Sequence, residues 1–192
     1  MIMKNMKGNT HKALLFATLI LLIASCAKKR INIYETAPDS ILVDKIRKEV
    51  FVKLLVEDDL HPCGTGAQMM DEIKILGFWF NYYHEIDIDN ARKIALKASN
   101  VALTKINNCE EIRPYLIHHP FKPQNIEITI IVNNPNGTDL PPEKLQIVTM
   151  KEGIIYYKNL IRDSHRFLTI VHQETYEEAL AKLEQVLVAN GQ

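Results

Sequence analysis

Cysteines, histidines and short acidic runs are the residues of this 192-residue chain whose types and spacing could do chemistry. Cys63 stands two residues after His61, within Glu57-Asp-Asp-Leu-His-Pro-Cys-Gly-Thr-Gly66. A thiol beside an imidazole is the minimum for a cysteine nucleophile with its base, but no recognised catalytic pattern surrounds this pair. His61, His84, His118, His119, His165 and His172 form neither His-Glu-x-x-His nor another zinc-type spacing. No metal is expected, and the histidines read as solvated loop residues. His118 and His119 precede Pro120 and would point in different directions from an extended backbone. Cys63-Gly-Thr-Gly-Ala67 lacks the Gly-x-Gly-x-x-Gly spacing and precedes no P-loop lysine, so it reads as a turn. Glu85, Asp87 and Asp89 lack the spacing and glycine of a calcium loop, and helix capping explains them. Asn136-Gly137-Thr138 matches a glycosylation acceptor in form but reads as a turn. No cofactor motif is visible.

The elements that must position these residues follow from periodicity. Residues 27–38 carry no apolar period and read as a tether, after which Asp39 or Ser40 is placed to cap a helix. Leu42, Ile46, Val50 and Leu54 predict an amphipathic helix over about 40–57, although its β-branched end from Val50 to Val56 also suits a strand. Residues 57–66 read as a loop punctuated by Pro62, Gly64 and Gly66. Ile73 to Tyr83 holds the single tryptophan and predicts a strand covered on both faces. Asp87 or Asp89 then caps a helix from Asn90 to about Asn107, with Ile94, Ala98, Val101, Ala102 and Ile106 as its buried stripe, and Pro114 stops any continuation.

After Pro123 the period becomes that of a strand. Ile126 to Val132 alternates, Leu145–Met150 and Ile154–Lys158 flank the hairpin signal Glu152-Gly153, and Arg166–His172 reads as a further strand. Thr175-Tyr-Glu-Glu178 has capping-box spacing and opens a helix through Val188, with Tyr176, Leu180, Leu183 and Leu187 on one side. The expected fold is a single α+β domain over 39–192: a mostly antiparallel sheet of four to five strands with helices packed on one face.

The N-terminal segment carries an address. Lys4, Lys7 and Lys12 precede the apolar run Ala13 to Ala24, the layout of a secretory signal. Twelve residues span only about 18 Å as a helix, short of a hydrocarbon core of about 30 Å. Ile23-Ala24-Ser25-Cys26 resembles the lipobox of bacterial lipoproteins. That resemblance covers residues 1–26 and implies diacylglycerol transfer to Cys26, cleavage before it and usually acylation of the new amine. Residues 1–25 are then the signal peptide and 26–38 the lipidated tether. Two or three acyl chains hold a protein to a bilayer where one alone binds marginally. Ala27 stands where aspartate would signal inner-membrane retention, so the resemblance points to the outer membrane. Lys28, Lys29 and Arg30 either touch anionic headgroups or remain solvated.

Removal of the signal leaves 20 basic against 23 acidic residues, since three of the 23 lysines and arginines are lost with it. The mature charge near −3 gives no electrostatic pull toward nucleic acid. Lipidation of Cys26 also leaves Cys63 and Cys109, and an even number of thiols in an exported protein favours a disulfide between them. Two buried free thiols are the alternative. The segments Glu111-Ile-Arg-Pro-Tyr-Leu116, Pro120-Phe121 and Asn125-Ile-Glu-Ile128 resemble short exported proteins of unassigned function from intracellular bacteria, which implies no activity. The leading expectation is a non-enzymatic envelope lipoprotein whose domain binds another envelope protein or has a structural role. Its rivals are a small-ligand or peptide-binding module lined by Phe78–Tyr83, and an envelope hydrolase with a dispersed site around Cys63.

Overall fold

A computed structural model describes residues 37–161 and 167–189. The signal, the lipobox ending at Cys26, the basic residues after it and His165 lie outside the described residues. Among the described residues, no helix is long and apolar enough to cross a membrane.

The first helix, α1 (Pro38–Asp58), starts with proline at its first turn, where a missing N–H costs nothing. Ala37 is the N-cap and offers no side-chain acceptor, so neither Asp39 nor Ser40 caps the helix as expected. Val43, Ile46, Val50 and Leu54 form its buried stripe, with Leu42 only packed against the edge of the core. Asp59 closes α1 in the left-handed region.

The next segment corrects the sequence expectation. His61–Met69 is a strand, β1, paired antiparallel with β2 (Ile73–Tyr82). Its proline and glycines made it read as a loop, but β2 supplies the hydrogen-bonding ladder that local propensity does not. Asp87 caps α2 (Ile88–Asn108) by accepting from the Asn90 amide at 2.8 Å. The chain then passes through a 3-10 turn at Glu110–Tyr115, which contains Pro114, and enters β3 (Ile126–Val132). β3 pairs parallel with β2, so α2 is a crossover helix.

The remainder is antiparallel. β4 (Ile147–Lys151), β5 (Ile154–Ile161) and β6 (Phe167–Thr175) follow in order. Glu152 and Gly153 both adopt positive φ, 53° and 77°, as a two-residue hairpin turn requires. The expected capping box at α3 (Tyr176–Ala189) is formed in both directions: the Thr175 amide donates to Glu178 at 2.8 Å and the Glu178 amide to the Thr175 hydroxyl at 3.1 Å. Of the stripe expected for α3, Tyr176 and Leu183 pack against the core, while Leu180 is exposed at 39% and Ala179 is fully buried in its place.

Among the described residues the result is one sheet of six strands in sequence order, one more than the upper expectation, with three α-helices. Helix contacts fall on one face. Leu76, Phe78 and Phe80 of β2, Ile128 and Ile130 of β3, Met150 of β4 and Tyr157 of β5 are buried there. Phe51 of α1 meets Phe78 and Phe80 edge-on, with ring centroids 6.0 and 5.4 Å apart, each pair adding about 0.5–1.5 kcal/mol beyond burial. Ser99 of α2 approaches Met150 at 3.1 Å.

The other face is not covered by any described element, contrary to the expectation that both sides of β2 are buried. Trp79 stands on it with 38% of its surface exposed. Its indole lies across the glycines of β1: an ideal Cβ on Gly64 would collide with Trp79 Cε3, and one on Gly66 would sit 3.5 Å from Cζ2. Gly77 meets the Gly66 backbone at 3.0 Å by the same measure. Replacing Gly64 with valine should displace the indole, red-shift the emission of the only tryptophan and cost about 1–3 kcal/mol in a urea titration. An unchanged emission maximum would refute this packing.

Candidate functional site

The residues singled out by sequence do not converge. Cys63 is the extra residue where the β1–β2 register shifts between Pro62 and Gly64, and it is exposed at the sheet edge. Cys109 caps the end of α2, and its thiol donates to Glu111 at 3.3 Å. Both thiols are free. The expected Cys63–Cys109 bond is not formed in this structure, where one thiol sits in a bulge of β1 and the other at the end of α2. Partial burial raises the Cys63 thiol above its ordinary value, away from a nucleophile's thiolate. His61 does not approach it with a hydrogen bond; its Nε2 lies 2.9 Å from the Asp59 carboxylate.

Asp59 collects two histidines. His84 Nε2 lies 2.8 Å from its second oxygen, and the hydrogen bonds from His84 and then His61 lower the Asp59 carboxyl. The two imidazoles rest on Tyr82 and Tyr83 in turn, His84 on the first and His61 on the second. This cluster is exposed. Among the described residues no group of three or more histidine, cysteine or acidic side chains is arranged to hold a metal ion. His118 and His119 do point apart, toward Asn125 at 2.8 Å and the Asn107 carbonyl at 3.2 Å.

The main polar assembly was not anticipated. Glu174 of β6 is buried and accepts from Arg92 Nε at 2.6 Å, the Tyr157 hydroxyl at 2.6 Å and Lys182 at 2.7 Å. Arg92, from the first turns of α2, also donates to Asp89 at 2.5 Å. His172 lies 3.7 Å from Glu174. Burial alone would raise the Glu174 carboxyl, but the hydrogen bonds from Lys182, Tyr157 and Arg92 outweigh it and hold it at about 2. Burial and then the hydrogen-bonded Glu174 carboxylate push the Tyr157 phenol well up.

A groove of about 1310 Å³ opens beside this hub. Ile86, Ile88, Leu145, Val171 and Val186 give it apolar walls, and Arg92, His172 and Lys182 bring the hub to its floor. Glu85, Asp87 and Asp89 stand at the α2 end, with Lys144 paired to Glu85. The charges are mixed and mostly mutually paired. Trp79 and its aromatic neighbours from Phe78 to Tyr83 do not line this groove.

A signal for the hub was present in part. Arg92 stands in line with Ala95, Ser99, Ala102 and Ile106, a charged residue on a buried stripe. Glu174 fell beyond the strand expected at Arg166–His172, because β6 runs on to Thr175. Pairing across 82 residues then brings the two together.

Three outcomes follow. Substituting Glu174→Gln removes the buried carboxylate shared by Arg92, Tyr157 and Lys182, leaves Arg92 only the exposed Asp89 as a charged partner, and should cost about 3 kcal/mol in a urea titration. Because the folded Glu174 value is depressed, its contribution is complete above the ordinary carboxylate range and disappears as pH falls toward about 2. The acid limb of urea midpoint against pH should therefore flatten in Glu174→Gln, and an unchanged limb would remove the hub from the account. Mass spectrometry of unreduced, denatured protein treated with maleimide should show Cys63 and Cys109 both modified; protection of the pair would restore the disulfide.

No protein-family model matches the chain, and no curated protein or solved structure shows significant similarity to it.

Proposed function

We propose that the chain is an envelope lipoprotein, anchored through acylated Cys26, whose α+β domain docks another envelope protein on the open face of its sheet. The observation that carries the docking half is that no described element covers this face. Along one row it presents Trp79, Thr129, Thr149, Tyr156 and Gln173, and along the next Asn81, Ile131, Ile147, Lys158 and Ile170. Trp79 and Ile170 are 38% and 48% exposed. A broad, shallow, mixed apolar and hydroxyl surface with an aromatic anchor suits a protein partner better than a small molecule. The anchor half rests on the Ile23-Ala24-Ser25-Cys26 motif. Outer-membrane placement rests on the absence of aspartate after Cys26.

Two experiments test the two halves. Labelled palmitate should enter the wild-type protein and fail to enter Cys26→Ala; equal labelling would remove the anchor. Trp79→Lys, matched to wild type by circular dichroism, should lose the envelope protein that cross-links to the wild-type face in intact cells. Undiminished cross-linking would place the partner elsewhere.

The groove beside Glu174 supports a second reading, a small-ligand or peptide-binding lipoprotein, because its volume is ample for a small molecule and it combines apolar walls with polar groups. A compound that raises the melting temperature of wild type, but not of Val186→Trp, would establish it. Equal stabilisation of both would exclude the groove.

A further inference from the structure

The two edges of the sheet differ. Along β1, Pro62 and a register shift interrupt the edge, and Arg47 of α1 donates to the Gly66 carbonyl at 2.6 Å. These are the devices by which edge strands avoid pairing with another chain. The β6 edge also carries a register shift, at Val171, but it leaves Phe167–Ile170 in regular register with β5; the strand lacks a lysine, an arginine or a proline from Phe167 to Thr175, and its one acid, Glu174, is turned into the core. Leu168, Ile170 and Val171 are exposed at 46%, 48% and 48%.

The main-chain groups of β6 alternate in direction along the strand. The Tyr176 amide donates to Gly153 at 2.8 Å, while the Lys158 carbonyl accepts from Gln146, on the β4 side, at 2.9 Å. Antiparallel pairs alternate between hydrogen-bonded and non-hydrogen-bonded. With the register Lys158↔Ile170, Asn159↔Thr169 and Leu160↔Leu168, the amides and carbonyls of Leu168 and Ile170 face away from β5. They have no partner among the described residues.

We propose that this edge pairs antiparallel with the same edge of a second copy of the chain, about a two-fold axis at Thr169. In that register Leu168 of one copy opposes Ile170 of the other, and the two residues exchange both main-chain hydrogen bonds, twice over by symmetry. All four side chains then lie on the open face, because Leu168 and Ile170 pair with Leu160 and Lys158 on that side. No charge opposes a like charge within the paired segment. A copy anchored in the same membrane meets this edge already confined to one plane. The proposal does not depend on the partner docked by the open face.

Thr169 faces its own copy in a non-hydrogen-bonded pair, where Cα atoms approach to about 4.5 Å, within disulfide reach. Full-length protein in detergent, carrying Cys63→Ser and Cys109→Ser, should form a disulfide-linked dimer when Thr169→Cys is added and not when Thr175→Cys is added instead. Adding Ile170→Lys should lower the Thr169→Cys dimer yield about tenfold, since it sets two cations within the paired edge. Sedimentation of the cysteine-replaced protein without Thr169→Cys should show a concentration-dependent dimer that Ile170→Lys abolishes. The proposal is overturned by a monomer at every concentration, by a dimer indifferent to Ile170→Lys, or by equal cross-linking through Thr175→Cys.

Discussion

Parallel pairing of β2 with β3 constrains everything around it. Two neighbouring strands running the same way cannot be joined by a turn; the chain must leave one end of the sheet and return to the other. Here α2 makes that passage, and it has to lie against the sheet with Ala95, Ala98 and Ala102 buried at the contact. Small side chains permit that close approach. Once α2 occupies the middle of one face, α1 and α3 pack beside it and complete the cover. The three described helices are thereby committed to a single face, and among the described residues the opposite one carries only the strands' own side chains.

That division sets different energetic conditions on the two sides. On the helix side, Phe78, Phe80, Ile128 and Ile130 are removed from water, each contributing about 1.5–3 kcal/mol. A carboxylate placed there needs full compensation, and Glu174 receives it from Arg92, Tyr157 and Lys182. The hub therefore ties three consecutive C-terminal elements, β5, β6 and α3, to α2, with 82 residues between Arg92 and Glu174. It specifies how the C-terminal elements seat on the crossover helix more than it adds net stability, because ion burial carries its own cost. On the open side, Trp79 is only partly shielded, and glycines at 64 and 66 make the flat bed on which the indole rests.

Much of the secondary structure was legible because it is locally encoded. The Asp87 cap, the Thr175–Glu178 box, the Glu152-Gly153 turn and the alternation of Ile126–Val132 act over a few residues and fold as read. β1 was not legible. A segment containing Pro62, Gly64 and Gly66 has little strand preference alone, and becomes a strand because β2 offers a ladder and Trp79 fills the space its missing side chains leave. Which thiols meet is not legible for a related reason. Counting thiols says how many can pair, whereas Cys63 and Cys109 sit in a bulge and at a helix end whose positions arise from long-range packing.

By itself, the sequence determined the α+β class, the helices and most strands, the placement of two helix caps, and the lipobox resemblance that motivates an anchored envelope protein. Those features depend on neighbours in the chain. Only the tertiary structure decided that β1 joins the sheet as a sixth strand, that Glu174 meets Arg92, and that no described element covers one sheet face. It alone also distinguished a capped edge at β1 from an uncapped one at β6. Each of these is settled by which distant segments share a face or an edge, and periodicity within one segment carries no information about the segment opposite it.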